Sequence, residues 1–114
     1  MSKIIPIKKS DRLRPDSLSP GAKELWSEYY RMAVSVKLLS DDDLVILAGL
    51  CEDLAVYHKA RAVVNEEGFV RTLANGEQEA MPEYWIMSAA SERVLEKLRS
   101  LGMTPMGRAE LGIY

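Results

Sequence analysis

The chain has 114 residues, a single cysteine and a net charge of −2, which is enough for one domain with its own core and too short to divide into two. With 47% hydrophobic and 28% charged residues it has the balance of a soluble folded protein and not of a disordered one. The longest uncharged apolar run, Leu44 to Cys51, is far below the ~20 residues that span a bilayer, the N-terminal Met-Ser-Lys-Ile-Ile-Pro is no signal peptide, and one thiol makes neither an internal disulfide nor a cysteine-based metal cage, so no membrane contact and a cytoplasmic location are expected.

Charge is unevenly spread. Residues 1 to 14 carry Lys3, Lys8, Lys9, Arg12 and Arg14 against Asp11, a balance of +4 that leaves −6 for the remaining chain. Residues 1–18 also contain Pro6 and Pro15 and show no apolar periodicity, so they read as an extended basic arm on an acidic body formed by residues 19–114.

Ser19-Pro20 opens the first helix: a serine side chain accepts from free backbone N–H groups, and proline is tolerated where no donor is needed. Ala22, Leu25, Trp26, Tyr29, Met32, Ala33 and Val36 then recur at three-to-four spacing and predict one buried stripe. Ser40 followed by Asp41, Asp42 and Asp43 starts a second helix, whose stripe runs Leu44, Leu47, Leu50, Cys51, Leu54, Ala55, His58, Ala62 until Gly68 stops it. Gly49 in its interior costs about 1 kcal/mol relative to alanine and marks a close helix crossing.

The pattern then shortens to β-prone pieces at 69–73 and 77–80 around Asn75-Gly76, which predicts a small hairpin with a tight two-residue turn. Pro82 opens a third helix with a stripe through Ile86 or Met87, Ala90, Val94, Leu98 and Leu101, ended by Gly102, and Thr104-Pro105 starts a short last helix running to Tyr114. The expected architecture is mainly α: a hairpin of the two longer helices, flanking helices, and a β excursion at one end. Tyr84, Trp85, Leu95 and Met103 lie off the main stripe of the third helix and form surplus apolar surface of the kind that meets another subunit.

Catalytic chemistry has little to stand on. Cys51 and His58 share a helix face but are separated by about 10 Å of rise, three times the reach of a nucleophile and its base. Asp41 to Asp43 point in different directions and cap a helix instead of converging on a metal. No glycines fall in phosphate-loop order, so neither nucleotide nor other cofactor or small-molecule substrate is expected. The basic residues Lys3, Lys8, Lys9, Arg12 and Arg14 are the candidates for contact with double-stranded DNA, since neutralising phosphates needs charge density more than fixed geometry. Arg31, Lys37 and Arg71 are candidates to extend that surface, and Trp26 and Tyr29 lie on a core stripe.

The order Leu18-Ser19-Pro20, Ala22, Trp26, Ser40, Asp43-Leu44, Leu47, Cys51, Tyr57, Gly68, Asn75-Gly76, Pro82, Leu101-Gly102-Met103-Thr104-Pro105 and Arg108 resembles the phage terminase small subunit family over nearly the whole chain after residue 17. Two positions depart from the family pattern: Met81 stands where histidine is frequent, and Glu110 where a second basic residue comes after Arg108. The resemblance implies a non-catalytic, ring-forming helical subunit that recognises packaging sites on phage DNA and regulates a separate large subunit carrying the ATPase and nuclease. Two other readings of the same residues are a small helical DNA-binding transcription regulator and a purely structural helical oligomer. Against the regulator, Asp41 to Asp43 would meet phosphates with like charge at the start of the second helix.

Overall fold

The structure, a computed structural model, describes residues 9–113. Five helices, α1 (Lys9–Leu13), α2 (Pro20–Val36), α3 (Asp41–Glu67), α4 (Pro82–Ser100) and α5 (Pro105–Glu110), are joined by an exposed antiparallel pair, β1 (Val70–Thr72) and β2 (Gln78–Ala80), that comes between α3 and α4 in the chain. The mainly α class, the α3–α4 hairpin and the β excursion all agree with the sequence reading. α2 packs along α3, and α5 against the end of α4.

Three helix starts carry the expected side-chain caps. Ser19 accepts from the Ala22 N–H at 3.3 Å and Thr104 from the Gly107 N–H at 2.9 Å. At α3 the cap is reciprocal: Ser40 Oγ accepts from the Asp43 N–H at 3.2 Å while the Asp43 carboxylate accepts from the Ser40 N–H at 2.9 Å. Lys37 then bonds the same carboxylate at 3.0 Å, so the short turn between α2 and α3 is held from both sides. Burial pushes the Asp43 carboxyl up, but the Ser40 N–H, the Lys37 ammonium and the Ser40 hydroxyl outweigh it and hold it below the ordinary value of 3.8.

The core is built from α2, α3 and the end of α4. Trp26, Leu47, Leu50, Cys51 and Leu101 are fully buried, with Leu18, Ala22, Tyr30 and Leu54 completing the cluster. Glu52 ties α2 to α3 by accepting from the Ser19 backbone N–H at 2.9 Å and hydroxyl at 2.8 Å. On the other flank, Asp53 accepts from Lys97 at 2.6 Å and Arg93 at 3.0 Å, and the Lys97 stem lies over Gly49, where a Cβ would stand 2.9 Å from Lys97 Cε. The close crossing anticipated at Gly49 is thus a side chain passing over a helix surface. At Gly107 the approach is backbone on backbone, and a Cβ there would collide with the Arg99 carbonyl oxygen.

Several expectations change. The arm is not extended throughout: residues 9–13 are helical, because the buried Trp26 indole N–H needs an acceptor and finds the Ser10 carbonyl at 2.6 Å, which pins α1 to α2. Leu18, at the end of the expected arm, belongs to the core. Tyr30, not Tyr29, is the buried tyrosine of α2, while Tyr29 is half-buried against the cluster. The buried stripe of α3 ends at Ala60, and His58 and Ala62 are exposed, because the antiparallel α2 begins opposite Glu52 and Ala55 and has no residues left to cover them. The hairpin loop holds three residues, not two. Leu73 N–H bonds the Glu77 carbonyl at 2.7 Å and Gly76 N–H the Leu73 carbonyl at 2.9 Å, with only Gly76 at positive φ (+85°), so Asn75 instead uses its side chain to accept from the Glu77 N–H at 3.0 Å. The last helix stops at Glu110, where Gly112 at φ +71° turns the chain.

These contacts yield two expectations. Gly107→Ala lowers stability by about 3 kcal/mol in chemical denaturation, since backbone must move, whereas Gly49→Ala changes it by less than about 1 kcal/mol, because a lysine stem yields and helix propensity rises. Asp43→Ala costs roughly 1–2 kcal/mol at pH 7. Ionised Asp43 favours the fold above pH 3.8, and this contribution fades as pH falls through its lower native value. The gap between the melting curves of wild type and variant therefore narrows below about pH 4.

Candidate functional site

Of the five basic N-terminal residues, Lys3 and Lys8 lie outside the described residues. Lys9 opens α1, Arg12 is exposed on it and Arg14 is half-buried just beyond. The Ser10–Trp26 hydrogen bond therefore fixes Arg12 and Arg14 to the folded body. Among the three additional basic candidates, Lys37 is engaged with Asp43 and Arg71 with Glu79, and Arg31 alone lies outside an ion pair among the described residues.

The apolar candidates divide. Trp85 is 63% exposed and Leu95 62% exposed. Tyr84 is half-buried between Phe69 and Trp85, with ring centroids at 6.0 and 5.3 Å, and the three form an aromatic group at the base of the hairpin. Met103 is different: it packs on the protein's own core. Gly102 at φ +72° reverses the chain, the Met103 N–H reaches the Leu98 carbonyl at 2.8 Å, and the side chain folds back inward.

A second apolar surface escaped the sequence reading. On the side of α3 away from the core, Val45 is 72% and Val56 40% exposed, with half-buried Val63 continuing the row. Its signal is the alternating four-and-three spacing through Val45, Gly49, Glu52, Val56, Lys59 and Val63, which the stronger stripe through Leu47, Leu50 and Leu54 masks. Three grooves border this ridge. One of about 590 Å³ runs between α2 and α3, another of about 470 Å³ lies beside Leu18 and Val45, and a third of about 250 Å³ separates α3 from the start of α4. In the third, Glu83 Oε2 is buried and has no hydrogen-bond partner among the described residues.

No reactive constellation accompanies these surfaces among the described residues. Burial, reinforced by the neighbouring Glu52 charge, pushes the Cys51 thiol up to about 12, so thiolate is scarce at neutral pH. His58 is exposed and lies edge-on to Tyr57, with ring centroids 5.6 Å apart. The arrangement offers binding surfaces on a helical frame, with exposed apolar side chains on α3 and α4. In the folded protein Cys51 is expected to react with a thiol reagent at least ~100-fold more slowly than in the unfolded chain, which a chromogenic disulfide assay with and without denaturant reads directly.

No helix among the described residues is long and apolar enough to cross a membrane. Residues 22–114 match the family described as phage terminase, small subunit. No curated protein and no solved structure matches the chain.

Proposed function

Because the chain belongs to the phage terminase small subunit family, we propose that it is the non-catalytic DNA-recognition and regulatory component of a viral DNA-packaging motor, acting as a homo-oligomeric ring beside a large subunit that holds the ATPase and nuclease. The observation that carries this reading is the family match over residues 22–114. The distribution of surfaces is in keeping with it: a +4 segment over residues 1–14 on an otherwise acidic chain, and apolar side chains left outside the core.

In this mechanism Lys3, Lys8, Lys9, Arg12 and Arg14 neutralise phosphates of double-stranded DNA and release condensed counterions. A single copy offers few contacts. A ring presents many copies of the same basic segment to one duplex, and the effective concentration of each after the first has engaged makes weak contacts additive. Tyr84, Trp85 and Leu95 supply apolar area between copies, where aromatics are favoured. The acidic remainder of the chain is the side offered to the large subunit, kept off the DNA by its own charge.

Two measurements test this. Light scattering should give a mass of several chains for wild type and a smaller one for Trp85→Ser with Leu95→Ser, the variant still melting cooperatively. In a salt-titrated DNA shift, replacing the five basic residues with glutamine should flatten the dependence of log affinity on log salt by about 4 to 5 for one engaged segment, at roughly 0.9 per phosphate contact. A monomeric wild type, or an unchanged salt slope, overturns the mechanism.

A further inference from the structure

α1 is too short to stand alone. Its five residues make little more than one helical turn, and isolated helices below about 12 residues are marginal in water. Leu13 is 37% exposed on it, so little apolar burial holds it down. What holds it is Ser10, which is buried and whose carbonyl accepts from the fully buried Trp26 indole N–H at 2.6 Å. Trp26 belongs to the core, stacked on Tyr30 with ring centroids 6.1 Å apart, and cannot follow α1 if that helix lifts away. Lifting α1 therefore takes the acceptor from a buried donor, and one such bond shifts an equilibrium by up to about tenfold.

Arg12 is exposed on α1, Arg14 comes just beyond its end, and the chain enters the core four residues later at Leu18. With α1 released, this tether lets Arg14 range up to about 14 Å and Arg12 up to about 21 Å from Leu18, at roughly 3.5 Å per residue. With α1 seated, both stand at one place on the body. Neutralising phosphates needs charge density more than geometry, but charges confined beforehand spare DNA contact the ordering it otherwise imposes. The tether also bounds the gain: released arginines stay near the body, so the effect is several-fold and not all-or-none.

We infer that Trp26 is a positioning residue for DNA contact: through its indole N–H it keeps α1 seated, so that Arg12 and Arg14 meet phosphates from a fixed point on every copy. The inference rests on the reading of the basic segment as DNA-contacting, and adds to it a core side chain that itself touches no DNA.

Two variants of the full chain unseat α1 without changing its charge. Trp26→Phe removes the donor and keeps an aromatic ring in the core. Ser10→Gln puts a longer side chain into the buried site and leaves Trp26 in place, so it serves alone should Trp26→Phe fail to melt cooperatively. Trypsin cleavage after Arg12 in the absence of DNA tracks the unseated fraction and should rise at least ~5-fold in both. In a salt-titrated DNA shift both should bind ~3- to 10-fold more weakly, with the slope of log affinity against log salt unchanged because no cation is lost. Arg12→Gln/Arg14→Gln should lower that slope by about 1.8 for one engaged segment, at roughly 0.9 per phosphate contact. Adding either unseating variant to that pair should weaken binding no further, since Trp26 acts through the two arginines. Wild-type cleavage or wild-type affinity in the unseating variants, or a further loss when one is added to the arginine pair, overturns the inference and leaves the DNA reading standing. A salt slope that the arginine pair leaves unchanged overturns it together with the part of Arg12 and Arg14 in that reading.

Discussion

A 27-residue helix with apolar side chains on nearly every side needs more neighbours than the described residues supply. α2 and α4 both pack on α3, whose Leu47, Leu50, Cys51 and Leu54 are buried. Val45 and Val56 of the same helix stay in contact with water. The resulting body measures 68 × 44 × 19 Å, a plate and not a sphere. A plate of this kind has a large perimeter over which to meet other molecules, and the apolar side chains left exposed on α3 and α4 follow from that geometry.

Polar side chains serve mainly to hold that plate in register. The Lys37–Asp43–Ser40 corner sets how α2 turns into α3, the Ser19–Glu52 clamp fixes the far end of the same pair, and Asp53 with Lys97 and Arg93 plays the corresponding part between α3 and α4. Each joins residues whose backbones are already close, so modest energies suffice to select one packing among several. The exposed pairs Arg71–Glu79 and Arg99–Glu110 are of another sort: solvent screens them, and they add little beyond local order.

Much of this architecture is legible in the sequence because it is written in short-range chemistry. Ser19-Pro20, Ser40 with Asp43, and Thr104-Pro105 each satisfy backbone donors within one turn, and all three open helices at those positions. The harder features depend on partners distant in sequence. Nothing near Ser10 predicts α1; its helix owes its place to an indole sixteen residues later that otherwise lacks an acceptor. The burial of Tyr30 in place of Tyr29 turns on a small rotation of α2 that periodicity alone does not resolve. Met103 reads as surplus surface when Gly102 is seen only as a helix stop, whereas the left-handed backbone of that glycine also turns the next residue inward. Among the proposed DNA contacts, only Arg12 and Arg14 have described side chains, and net charge points to that region without showing that its second half is anchored.

The backbone contact between Gly107 and Arg99 has a mechanical consequence. With no side chain between them, α5 cannot swing or roll on α4 without breaking that fit, and the Thr104 cap and the Gly102 turn remove the slack on either side. α4 extends about 28 Å from that junction to its start beside Trp85 and the hairpin. Met106 and Leu111, exposed at the tail, are thereby held in fixed register with the far end of α4.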